Sequence, residues 1–589
     1  MTGVAGPHQG AATHRPVPTH RARRRGGWLA VMPWLTLAIF LGPVILGLIG
    51  TALPAFGILP ALGGAEITFD AWRRLAETPG FDTSIALSLG TGIVSTILSL
   101  ALALGAVIAG YGTRPFRWVQ RALAPLLAVP HAALALGLAF LLAASGWGVR
   151  LLNGLGGLAG MEVFARPPLF APLLDPYGIA LTLGLVLKET PFLLLMTLAG
   201  LGQLGVARSL ATARSLGYGP TAAWVKVVIP QLYPLIRLPI YAVLAFAVSV
   251  VDVALILGPG TPPPLAVQIL RWFNDPDLSM RFVASAGAMV QLGLVVGVIG
   301  AWRGCEWLIA RAVRPWLSNG RRGGAGRLTR GTGTLGWAAV AGASAAAILA
   351  VVVWSIAERW RFPNLLPTSL TADTWARALT SLAEPLAVTV TTAGVASAIA
   401  VAVTIGCLEY ERHAGIRPTT RALWLLYTPL LVPQIGFLFG IQVLLVVLDL
   451  DGTAFALVWS HLLFVLPYVF LTLADPWRAL DHRYARTALC LGVGPRAVFW
   501  RVTVPMMLRP ILFSLAIGVA VSVAQYLPTL FAGAGRYATL TTEAVGQATG
   551  GDRRSIGVTA VAQMAVPMLA FAIALAIPAV MFRHRKGLR

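Results

Sequence analysis

The chain has 589 residues, 57% of them hydrophobic and only 11% charged, with a mean hydropathy of +0.78. A soluble chain carries about 25% charged residues, so this composition excludes a soluble globular protein and leaves a polytopic membrane protein. The net charge of +23 does not indicate nucleic-acid binding, because the basic residues sit in short loops between apolar runs, where they set membrane topology.

Residues 1–27 are polar and basic, ending in Arg21–Arg25. An apolar run then extends from Trp28 to about Leu53 with no small-residue cleavage site, so it reads as a retained first span rather than a signal peptide. About 20 apolar residues cross a bilayer. On that measure the spans are expected at 28–52, 84–109, 122–146, 178–200, 238–258, 283–302, 335–356, 387–408, 422–447, 455–474, 511–532 and 557–582. With the N-terminus placed in the cytoplasm, 32 of the 45 Lys and Arg fall in inside segments and 12 in outside segments, and Lys188 lies within a span. The positive-inside rule therefore puts both termini in the cytoplasm.

The basic, Gly-rich stretch 303–334 reads as a cytoplasmic linker. It divides the chain into a cytoplasmic tail (1–27), a six-span half (28–302), the linker (303–334), a second six-span half (335–582) and a short basic tail (583–589). Internal echoes support duplication. Pro125–Pro130 (PLLAVP) matches Pro429–Pro433 (PLLVP), each followed by a polar residue, His131 or Gln434. Thr190–Leu194 resembles Leu466–Phe470, and Val248–Asp252 (VSVVD) matches Val521–Gln525 (VSVAQ).

The strongest echo is a basic loop: ATARSLGYGPTAAWVKVVIP (Ala211–Pro230) in the first half and RTALCLGVGPRAVFWRVTVP (Arg486–Pro505) in the second. In both, a Pro follows the first Gly by 13 positions, Gly217 to Pro230 and Gly492 to Pro505. Glycine tolerates the left-handed conformation that ends a helix, and proline is accepted near a helix start. Each loop thus predicts a short helix, a sharp turn and the start of a long helix.

These loops resemble the EAA loop of binding-protein-dependent ABC importer permeases, whose pattern is E-A-A-x-x-x-G, nine residues, then I-x-L-P. Ala213, Gly217 and Pro230 match it in the first half, and Ala488, Gly492 and Pro505 in the second. The leading Glu of that pattern is Ala211 in one loop and Arg486 in the other, so the ion pair it implies with an ATPase is absent from both. The twofold layout looks like the fused permeases of ferric iron and thiamine importers. The resemblance implies an all-α integral membrane protein with about twelve transmembrane helices in two homologous six-helix halves, the type I importer permease fold. It also implies a multi-pass location in the bacterial inner membrane and an extracytoplasmic binding protein that delivers a small polar solute. Two separate ATPase subunits would dock on the loops, with ATP and Mg bound there rather than by this chain. No phosphate-binding G-x-x-x-x-G-K-[ST] occurs, which fits a pore subunit and not an enzyme.

Charged groups at mid-bilayer cost roughly 2.5–3.5 kcal/mol each and mark function. Lys188, Glu189, Asp252, His131, Gln434 and Gln525 are therefore the candidate pathway or gate residues. Asp252 and Gln525 are expected to approach each other between the halves, against the alternative of an internal ion pair such as Lys188 with Asp252. His131 also reads as a packed, hydrogen-bonded core histidine. Segments 53–83 and 147–177 are candidates for a binding-protein platform. Cys305, Cys407 and Cys490 have no metal or disulfide spacing, and no catalytic or metal site is expected. A gradient-driven secondary transporter with six plus six spans is the main alternative. It would require a charged G-x-x-x-D-R-x-G-R-R-like loop, and Tyr111–Arg121 holds no acidic residue.

Overall fold

The computed structural model describes residues 28–158, 163–168, 173–323, 326–416 and 419–583. The basic tail 1–27, all but the first residue of the tail 583–589, and part of the linker lie outside the described residues. Among the described residues the regular structure is helical apart from a two-stranded ribbon, Ala357–Arg359 with Ser369–Leu370.

Ten helices among the described residues are long and apolar enough to cross a membrane. A bent pair, Pro495–Met506 with Leu508–Val523 at 70°, is long and apolar enough only when taken together, which brings the number to eleven if the pair is one span. The expected span 422–447 is instead two shorter helices, Thr420–Leu431 and Gln434–Val447, parted at Val432–Pro433. Its counterpart 122–146 breaks in the same way, with Arg114–Ala128 ending before Val129–Pro130 and His131–Leu142 starting after. Proline lacks the N–H that would continue the ladder and pushes the preceding residue toward extended backbone; Val129 is extended at ψ 124. The expected spans 238–258 and 511–532 are also interrupted. Ile229–Ser249 gives way to Asp252–Leu257 across Val250–Val251. Leu508–Val523 gives way to Leu527–Gly533 across Ala524–Tyr526.

The first helix of each repeat packs on the other repeat. Met32–Ala55 lies against Gln434–Val447, and Gly326–Ile356 lies against His131–Leu142. Backbones touch at glycines, as small-residue interfaces in membranes permit. A Cβ on Gly440 would sit 2.0 Å from the Gly47 carbonyl oxygen, and one on Gly137 would sit 2.3 Å from that of Ala347. The Gly440 N–H donates to Thr51 Oγ1 (3.0 Å), whose hydroxyl donates to the Gly47 carbonyl (2.9 Å).

At the end of the molecule that holds 147–158, Arg150 is buried and clamps the repeats together. Its guanidinium donates to the carbonyls of Ser145, Arg361 (2.7 Å), Asn364 (2.8 Å) and Trp360, and lies over the rings of Trp360 and Phe362.

Candidate functional site

The four helix breaks meet around one cavity of about 270 Å³, at the low end for small-molecule sites. It is lined by Val129 and His131 from the first break and by Val250, Val251 and Asp252 from the second. Val432 and Gln434 line it from the third, and Ala524, Gln525 and Tyr526 from the fourth. Lys188 and Glu189 complete the polar lining from Ile179–Gly202. All six pathway candidates read from the sequence therefore share this cavity. Non-helical backbone is tolerated at membrane depth where it lines such a space.

A break leaves carbonyls without helical partners, and side chains supply them here. The Lys188 ammonium donates to the carbonyls of Leu127 (3.2 Å) and Val129. That geometry replaces the Lys188–Asp252 ion pair considered as an alternative. No ion pair reaches Asp252 among the described residues. Glu189 Oε1 lies 3.8 Å from His131 Nε2. The His131 ring also packs on Phe246 with centroids 5.0 Å apart, so this histidine borders the cavity as well as packing beside Pro130. Gln291 donates to the Val248 carbonyl (3.3 Å). In the second repeat Gln563 donates to Thr541 Oγ1 (2.6 Å), and Thr541 donates to the Val523 carbonyl. His461 bridges Ser522 (2.8 Å) and Thr529 (2.9 Å). These residues brace the breaks rather than face the path.

Replacing Lys188 with Met should lower the thermal midpoint of the solubilised protein, because the buried Val129 carbonyl loses its donor, at about 1–3 kcal/mol, and the half-buried Leu127 carbonyl loses one as well. A melting curve in detergent checks this, and an unchanged midpoint would show that water already serves those carbonyls.

The repeated loops have one geometry. Val206–Ser215 and His482–Cys490 end in glycines with left-handed φ, +82° at Gly217 and +81° at Gly492. In each, the N–H of the residue after the Gly bonds to the Ala carbonyl, Tyr218 to Ala213 (3.0 Å) and Val493 to Ala488 (3.1 Å). The Gly N–H bonds to Arg214 (2.9 Å) or Leu489 (3.0 Å). This is a Schellman closure, and it explains the Ala-to-Gly spacing. Pro220 and Pro495 then open the next turn, and a π-helical turn follows at Trp224–Val228 or Phe499–Thr503; Pro230 sits at the start of the long helix Ile229–Ser249, whereas Pro505 lies in the short turn Val504–Met506, which bends by 70° into Leu508–Val523. Ala211 and Arg486 are both exposed. Asp481 caps the second loop helix; the Arg483 N–H bonded to its side chain holds that carboxyl below its usual range, so the cap stays charged at neutral pH.

The loops differ in cover. Lys226 of the first donates to the Trp316 carbonyl (2.9 Å), Asn319 Oδ1 (2.9 Å) and the Arg321 carbonyl (3.0 Å). The Gly219 N–H donates to the Arg322 carbonyl (2.9 Å). The linker thus straps the first loop. At the matching place in the second loop a Cβ on Gly492 or Gly494 would meet nothing within 4 Å. The sequence reading missed this strap, the aromatic lining of the cavity and the Gly47–Gly440 contact. The last had a signal, since Gly436 and Gly440 are spaced as G-x-x-x-G.

A duplicated set of long apolar helices around a central polar cavity is the arrangement of a transport permease. No protein-family model matches the sequence. The chain is 30% identical over 563 residues, 95% of its length and 98% of the relative's, to the inner membrane ABC transporter permease protein YnjC of Escherichia coli (strain K12). It is 28% identical over 270 residues to the molybdenum transport system permease protein ModB of Mycobacterium bovis and of Mycobacterium tuberculosis, covering 43% of this chain and 91% of theirs. The chain belongs to the ABC transporter permeases. It is an all-α integral membrane protein, a transport subunit rather than an enzyme, whose class works with ABC ATPases.

Proposed function

We propose that this chain forms the translocation path of an ABC importer. It receives a small polar solute from an extracytoplasmic binding protein and couples to two ATPase copies through the loops Ala211–Pro230 and Arg486–Pro505. The observation that carries this reading is the shared loop geometry: a helix closed by a left-handed Gly, then Pro, a π-helical turn and a second Pro, at equivalent places in both repeats. Both loops, both termini and the linker face the cytoplasm of the inner membrane, following the bias of Lys and Arg.

Ala211, Gly217 and Pro230, with Arg486, Ala488, Gly492 and Pro505, form the coupling surfaces, and Ala213, expected there too, is buried beneath the first. With no Glu at the leading position, exposed arginines such as Arg208, Arg214 and Arg496 meet acidic groups of the ATPase. ATP binding draws the loops together and rocks the repeats about the cavity, and hydrolysis resets them, the energy coming from tighter ATP binding to the closed state. Lys188, Glu189, Asp252, Gln525, His131 and Gln434 line the path. The two mycobacterial relatives are named for molybdenum transport; this chain's solute is set by its own cavity and binding protein.

Cys490 offers a direct test. It is exposed on the second loop helix, whereas Cys407 is buried. In a Cys305→Ser background, a maleimide should label Cys490 of the isolated permease and label it at least roughly tenfold more slowly once a co-purified ATPase is bound, as expected for a side chain covered by an interface. Equal labelling rates with ATPase bound would reject docking at this loop. Uptake that continues without ATP and stops when the proton gradient collapses would reject the importer reading in favour of a gradient-driven carrier.

A further inference from the structure

The charges of the cavity come from one repeat. Lys188 and Glu189 correspond to Phe464 and Val465 in the second repeat, two and one positions before the matched Thr190–Leu194 and Leu466–Phe470 segments. Where the first repeat has Asp252 and His131, the second has neutral Gln525 and Gln434. The Lys188 ammonium is turned into the wall, held by two carbonyls. Against it stand two carboxylates, Glu189 beside His131 and Asp252, which no ion pair reaches among the described residues. The lining therefore sets two carboxyl groups against a single lysine, and that lysine is already held by backbone carbonyls.

Gln525 adds an independent pointer. It is 7% exposed and lines the cavity. Its Nε2 donates to the Val521 carbonyl (3.2 Å), while its Oε1 has no hydrogen-bond partner. A buried polar atom without a partner is costly, and this one can only accept, so the complementary group is an N–H or O–H donor. Apart from Ser249 and Thr472, the remaining wall is apolar or aromatic, with Phe192, Phe246, Phe464, Tyr468, Tyr526 and Phe571. Ring faces attract cations that have shed water. No group of three or more His, Cys, Asp or Glu among the described residues could hold a metal ion.

We propose that this cavity binds an organic cation bearing a protonated or quaternary nitrogen beside an apolar body. Asp252 and Glu189 neutralise the charge, the Gln525 Oε1 accepts from an N–H where one is present, and the aromatic rings enclose the body. The inference deepens the importer reading by naming the class of solute that passes through the pore. It disfavours a dianionic oxyanion, which would face two carboxylates with the one lysine already engaged.

The test uses the full-length permease in lipid nanodiscs, without ATPase, with empty nanodiscs subtracted. Binding of benzyltrimethylammonium is compared with that of benzyl alcohol and benzenesulfonate, which carry the same ring without the positive charge. The cation should bind at least tenfold more tightly than either. Asp252→Asn should weaken the cation roughly tenfold, as expected for losing one charge in a poorly solvated site, and leave benzyl alcohol unchanged. Gln525→Glu should strengthen cation binding several-fold, a gain that a misfolded variant cannot produce. Equal or tighter binding of benzenesulfonate, or no response of the cation to either substitution, overturns the proposal. Capture of an ATPase from the same preparation is scored separately: its absence counts against the importer reading, whereas its presence with no cation preference counts only against the solute class.

Discussion

Gly440→Leu should abolish the folded permease. The added Cβ would lie 2.0 Å from the Gly47 carbonyl oxygen and 2.7 Å from the Thr51 nitrogen. Both atoms are backbone, so no rotamer change relieves the clash, and the helices Met32–Ala55 and Gln434–Val447 must separate. Separation also breaks the Gly440–Thr51 hydrogen bond. Overpacking normally costs 1–3 kcal/mol where side chains can move; with backbone on both sides the cost should exceed about 4 kcal/mol, a large part of the stability of any domain. The measurement is the monodisperse fraction after detergent extraction. Gly42→Leu on the same first helix is the control, because a Cβ there meets nothing within 4 Å, and it should extract like the native protein. Normal extraction of the Gly440 variant would mean that the two repeats are not joined at this crossing.

Gly494→Phe should leave the permease folded and remove its ATPase. A Cβ at Gly494 meets nothing within 4 Å and its backbone is extended rather than left-handed, so the isolated membrane protein should melt within about 1 °C of wild type, as an unhindered surface change does. A bulky ring there occupies the surface proposed to enter the ATPase, so co-purification should fall at least tenfold. Gly219→Phe should behave differently. Its Cβ would come 2.3 Å from the Gly323 carbonyl oxygen, so the linker must leave the loop and the permease itself should lose stability. The pair thus separates contact with a partner from contact within the chain. Equal ATPase capture by wild type and Gly494→Phe would place docking elsewhere.

Much of this architecture was legible because bilayers impose long apolar runs. The spans, the repeat order and the turns at Gly217 and Gly492 follow from hydropathy and from backbone freedom. The site residues were legible for a related reason: Lys188, Glu189 and Asp252 stand out where charge is expensive. What they do was not. The break at Val250–Val251 has no proline in it, and its carbonyl at Val248 is served by Gln291 from a helix about 40 residues away; no local pattern encodes that. Pro130 and Pro433 were visible as echoes, yet whether proline bends or interrupts a span depends on neighbours that can take the freed carbonyls, as Lys188 does. The exchange of first helices is likewise a property of backbone fit between distant glycines, and the engagement of Lys226 by the chain joining the repeats depends on a fold that brings position 226 to positions 316–321.

That last contact gives the molecule a built-in inequality. A pore made from two identical polypeptides would present two interchangeable transmission surfaces and would not distinguish its left engine from its right. Here, among the described residues, the covalent joint is fastened to the first loop and not to the second, so a displacement of the first loop would pull on the chain that leads into the following repeat. Joining the two repeats in one chain therefore makes the two proposed transmission surfaces unequal, one tied to both repeats and the other to its own.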